Sequence, residues 1–70
     1  MHTMIYLRAK QAPYKWMVVG KMYKIAANKA TPFTYYGLPK FFFTVLSNVE
    51  VLIACRKEGI TLDQIPSIPS

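Results

Sequence analysis

The stretch FFFTVLSNVEVLIACRKEG, residues 41–59, is the most apolar part of the chain, and its reading decides the fold. It is either a membrane span or a strand that runs into a helix. A spanning helix needs about 20 predominantly apolar residues. Residues 41–55 are too few, and Ser47, Asn48 and Glu50 fall among them. A carboxylate near the centre of a span costs roughly 2.5–3.5 kcal/mol on insertion scales. The span is therefore rejected.

The strand-and-helix reading accounts for every polar residue. Ser47 and Glu50 have the S-x-x-E spacing of a capping box, in which the serine hydroxyl and the glutamate carboxylate each satisfy a backbone amide at the helix start. Glu50 sits at the positive end of the helix dipole, and Arg56 and Lys57 sit at the negative end. Gly59 supplies the left-handed position that commonly ends a helix. The spacing predicts a helix over 48–58. Val49, Leu52, Ile53 and Arg56 line one face of it, with Val51 and Cys55 beside them. Residues 41–46 read as a buried strand, with Phe41, Phe42 and Phe43 all in the core.

Working outward, MIYLRA at residues 4–9 has the β-branched and aromatic character of a short strand. Residues 14–30 carry two patterns. Val18, Met22, Ile25 and Ala26 share a helical face, and Lys21, Lys24 and Asn28 share another. Gly20 and the Val18-Val19 pair favour a strand or turn instead. A helix over 21–30 is the expectation, with a hairpin as the alternative. TPFTYYGLPK, residues 31–40, is a loop punctuated by two prolines and a glycine. After Gly59, Thr61 and Gln64 repeat the capping-box spacing, which opens a short helical turn before Pro66, or else residues 60–65 form an edge strand. Residues 66–70, PSIPS, are expected to be a flexible tail.

Seventy residues make one domain at most, here residues 1–65, and a core this small is marginal without a staple. Cys55 is the only cysteine, so no internal disulfide forms, and His2 with Cys55 is too few ligands for a zinc site. No metal or cofactor is expected. Cys55 reads as a small buried hydrophobe. The fold class is α+β: short antiparallel strands at 4–9 and 41–46 packed on one or two helices.

Enzyme chemistry is sparse. His2 is alone and terminal, and Glu50, Glu58 and Asp63 are the only acids in the chain. Glu50 and Glu58 are accounted for at helix ends. The chain has no glycine-rich phosphate loop and no nucleophile elbow. The N-terminus lacks an apolar core of signal-peptide length, so the expected location is cytoplasmic.

Charge is the main functional clue. The formal net charge is +6, and residues 1–40 hold Arg8, Lys10, Lys15, Lys21, Lys24, Lys29 and Lys40 with no acid. Such a field attracts polyanions or anionic membrane surfaces. Cations interleave with rings at Lys15-Trp16, Lys21-Met22-Tyr23-Lys24 and Tyr35-Tyr36. The leading expectation is a non-enzymatic nucleic-acid-binding protein. Arg8, Lys10, Lys15, Lys21, Lys24 and Lys29 would contact phosphates, and Trp16 or Tyr23 would stack on bases. Trp16 can equally be read as core. The high apolar fraction, 53%, supports the alternative: an accessory subunit of a membrane-associated or multiprotein assembly, a small protein-binding modulator, or a homo-oligomer.

Three short segments resemble known families. RKEGITLDQI, residues 56–65, resembles the helix-Gly-helix segment that follows the wing in MerR-type DNA-binding domains. GLPKF, residues 37–41, resembles the turn after the recognition helix in excisionase-like winged helices. Residues 26–37 are too few for that family's second helix and turn, so no recognition residue is carried over. YKIAANKATPFTY, residues 23–35, resembles a segment of a small accessory subunit of mitochondrial respiratory complex I. That family places a membrane helix just before the segment, whereas here Lys15, Lys21 and Lys24 interrupt the region.

Overall fold

The computed structural model describes residues 3–69, so His2 lies outside the described residues. The fold is α+β. Strand β1 (Met4–Ala9) is the centre of a three-stranded antiparallel sheet, between β2 (Met22–Ala26) and β5 (Phe43–Leu46). Leu7 pairs with Tyr23 on one side and with Val45 on the other. A second, two-stranded sheet is the hairpin of β3 (Thr34–Tyr35) and β4 (Leu38–Pro39). The single helix among the described residues, α1, spans Asn48–Glu58. No helix among them is long and apolar enough to cross a membrane.

The two faces of the sheet bury different clusters, because side chains alternate along each strand. Leu7, Ala9, Tyr23, Ile25 and Phe43 point to one face, where they meet Met17, Tyr35 and Ile68. Met22 points to the other, against Val51, Ala54 and Cys55 of α1 and against Ile65. Tyr6 and Leu46 complete that second layer. The free Cys55 thiol is buried there, as its sequence reading expects.

Helix α1 begins and ends as its sequence dictates. The Ser47 hydroxyl accepts from the Glu50 N–H at 3.2 Å, and the Ser47 N–H donates to the Glu50 carboxylate at 3.0 Å. Gly59 closes the helix at φ 68°, and the Ile60 N–H donates to the Cys55 carbonyl.

Several expectations are corrected. Residues 21–30 are not a helix: β2 is followed by a 3₁₀ turn over Ala27–Lys29. The helical reading fails because Tyr23 and Ile25 bury on one face and Met22 on the other, a two-residue period fixed by register with β1. Residues 40–42 form a 3₁₀ turn, so the last strand starts only at Phe43. Phe43 is core, Phe42 is partly buried, and Phe41 is 62% exposed. The expected buried strand is an edge strand with Thr44 and Val45 open to solvent. The Thr61 N–H does donate to the Gln64 side chain at 2.9 Å, which opens the 3₁₀ turn Leu62–Gln64.

The expected tail from residue 66 is tied down over its described residues. Lys24 donates its N–H to the Pro66 carbonyl at 3.0 Å and accepts from the Ile68 N–H at 2.9 Å. Ile68 is buried. Its side chain enters the core beside Ile25, and backbone pairing covers the outer edge of β2.

Candidate nucleic-acid interface

The segment between β1 and β2 folds back as two tight turns. The Met17 N–H donates to the Tyr14 carbonyl at 3.0 Å, and the Lys21 N–H to the Val18 carbonyl at 3.1 Å. Gly20 takes φ +85°, which only glycine adopts without strain, and its N–H returns to the Ala9 carbonyl. Met17 buries beneath the loop, and Trp16 packs partly buried against the same core.

This return lines up five rings. Phe41 packs edge-on to Phe42 with centroids 4.7 Å apart, and Phe42 to Tyr14 at 6.4 Å. Tyr14 stacks on Trp16 at 6.0 Å with planes 7° apart, and Trp16 meets the edge of Tyr23 at 5.5 Å. The chain of rings runs from exposed Phe41 through half-exposed Tyr14 to buried Tyr23.

Cations surround this end of the sheet. Lys10 follows β1 and donates its N–H to the Phe42 carbonyl at 2.7 Å, with its side chain exposed. Lys15 is exposed between the two stacked rings in sequence. Lys21 is exposed at the start of β2, with its Nζ 5.9 Å from the centre of the Tyr23 ring. Arg8 is partly committed: its guanidinium donates to the Gly20 carbonyl at 2.6 Å. It also helps to lower the Glu50 pKa, after the larger effects of hydrogen bonds from the Ser47 backbone and side chain. The first acid in sequence is Glu50, so the loop and its flanking strands contribute no negative charge.

Of the sequence-predicted residues, Lys10, Lys15, Lys21 and Trp16 therefore come together. Arg8, Lys24 and Lys29 do not. Arg8 alternates with Leu7 and Ala9 onto the helix-facing side of β1, where it lines a depression with Glu50 and Lys57. Lys24 lies in the middle of β2 on the helix-facing side, partly buried beside Ser67. Lys29 lies past the far end of β2, its Nζ 5.7 Å from the Tyr36 ring. Tyr23 is corrected as a stacking residue. It is 2% exposed, and its hydroxyl accepts from the Val18 N–H at 2.8 Å and donates to the Trp16 carbonyl at 3.2 Å. It anchors the loop.

Sequence reasoning missed Tyr14, Phe41 and Phe42 as parts of this surface. The only available signal was that a run of three phenylalanines exceeds what one face of a short strand can bury. No protein-family model matches the chain, and neither a curated protein nor a solved structure is found to be similar to it.

Proposed function

We propose that the protein binds single-stranded nucleic acid through the Tyr14–Trp16–Phe42–Phe41 ring series and the lysines around it. The observation that carries this reading is a ring series exposed at Phe41 and Tyr14 and backed by partly buried Trp16 and Phe42, set beside Lys10, Lys15 and Lys21 with no acid among them. Bases stack on exposed rings for about 1–3 kcal/mol each, and lysines follow the phosphates, which together give sequence-tolerant binding. A duplex keeps its bases stacked inside, so it gains only the lysine contacts.

Fluorescence anisotropy of a labelled oligonucleotide, single-stranded or annealed to its complement, tests the reading. The single strand is expected to bind more tightly, at low salt most of all. Equal affinity for the two forms would remove the rings from the interface, and no binding of either would reject the function.

A further inference from the structure

Helix α1 carries two apolar stripes. Val51, Ala54 and Cys55 face the sheet and are buried. Val49, Leu52 and Ile53 point the opposite way and are 65%, 57% and 52% exposed. With Arg56 they follow the i, i+3, i+4, i+7 spacing of a helix face that packs on another element. A solvated helix has polar residues there. Beside this stripe, Tyr6, Asn48, Val51, Leu52 and Leu62 line an apolar hollow of about 270 Å³.

We propose that a second copy of this chain covers this face, its α1 lying antiparallel on the first. The charges select that occupant. Glu50 and Lys57 lie seven residues apart, hence on one flank of the helix, and both border the same depression with Ile53. An antiparallel pair related by a two-fold axis near Ile53 brings Glu50 of each copy opposite Lys57 of the other. A parallel pair would instead set Glu50 against Glu50 and Lys57 against Lys57. A ridge and an adjacent hollow on one face are also what a self-complementary contact requires. The flanks of α1, with Glu50 and Glu58 balancing Arg56 and Lys57, lack the excess cations of a helix that lies on anionic lipid. This face is separate from the ring series and stands or falls independently of nucleic-acid binding.

Stable interfaces cover about 800 Å² per partner. Three exposed side chains and the rim of a hollow on an 11-residue helix amount to less. The dimer is therefore weak, with a dissociation constant of roughly micromolar order or above.

Sedimentation equilibrium on the full chain from about 10 μM to about 1 mM spans that range. The parent is expected to move from 8.0 kDa towards twice that mass. Leu52→Glu and Leu52→Lys change an exposed site, keep the helical circular dichroism, and hold each chain at 8.0 kDa throughout. Mixed one to one, the two variants recover the dimer, because position 52 lies beside the axis. A parent that stays monomeric overturns the proposal, and its binding to anionic vesicles would then assign the face to lipid. A dimer unmoved by either substitution, or a mixture that remains monomeric, overturns the antiparallel α1 contact.

Discussion

The Tyr23 hydroxyl accepts a hydrogen bond from the Val18 N–H at 2.8 Å, across a loop that Arg8 also holds through the Gly20 carbonyl. The same hydroxyl donates to the Trp16 carbonyl. One buried strand residue thus holds both the turn at Gly20 and the ring beside it. Tyr23→Phe keeps the ring in the core and removes both bonds. Losing a part-buried pair of this kind costs about 1–2 kcal/mol. Urea denaturation followed by circular dichroism should show that loss, and Trp16 emission should shift to the red in the folded variant. Unchanged stability and emission would mean that the loop is held without the Tyr23 hydroxyl, by Met17, the Arg8–Gly20 bond and the backbone turns.

Tyr36 is a second anchor point, and a strained one. It takes φ 52° ahead of Gly37 at φ +85°, in a two-residue turn between β3 and β4. Two successive positive values mark the turn that favours Asn-Gly. A left-handed non-glycine residue costs about 1–2 kcal/mol, less for asparagine. The Lys29 cation over the exposed Tyr36 ring returns only about 0.5–1 kcal/mol. Strain is the larger quantity, so Tyr36→Asn is expected to raise stability by a few tenths to about 1 kcal/mol. A lower thermal midpoint in the variant would show that the ring contact dominates.

The helix start should be sensitive to acid. Hydrogen bonds from the Ser47 backbone and side chain, and less so the Arg8 charge, hold the Glu50 pKa below its ordinary value. A carboxylate lowered in the folded state stabilises the fold above its unfolded pKa, about 4.3 for glutamate, and loses that contribution as pH falls through the folded value. Helical signal should therefore weaken below about pH 4.3. Glu50→Gln keeps an acceptor for the Ser47 N–H without the titration, so its profile should be flatter there. Identical acid profiles for the two chains would assign the transition to other groups.

Those elements that local chemistry encodes were legible. The S-x-x-E box and Gly59 gave α1 its bounds, because both its ends are satisfied by residues within four positions. β1 was legible from its own composition. β2 was not, since Lys21, Lys24 and Asn28 happen to fall at helical spacing and only pairing with β1 selects the strand. Pro66 and Pro69 suggested a tail, yet Ile68 needs only one backbone bond on each side of Lys24 to bury its side chain. At the candidate site the lysines were visible as charge. The ring series was not, because it depends on the turns at Tyr14 and Gly20 bringing residues 14 and 16 over residue 42, a long-range event without a local signature.

The docked C-terminus carries a stability prediction. Ile68 is buried among Ile25 and its neighbours. Truncating such a side chain to alanine costs about 2–5 kcal/mol. Cores of this size supply about 3–5 kcal/mol in total. Ile68→Ala should therefore leave the chain largely unfolded or close to it, read as a lost or sharply lowered urea midpoint. A midpoint within experimental error of the parent would mean that the segment adds little to the core.

The central claim, that the ring series and its lysines form a nucleic-acid surface, is tested most directly at Trp16, the only tryptophan in the chain. Its fluorescence would be titrated with an oligothymidylate across a salt series, for the parent and for the Lys10→Gln, Lys15→Gln, Lys21→Gln triple variant. Each phosphate contact contributes about 0.7 to the slope of log affinity against log salt for single strands. The parent should be quenched with a steep slope, and the triple variant should bind more weakly with a slope shallower by about 2. No Trp16 response in the parent, or the same affinity and slope in both chains, would contradict the account.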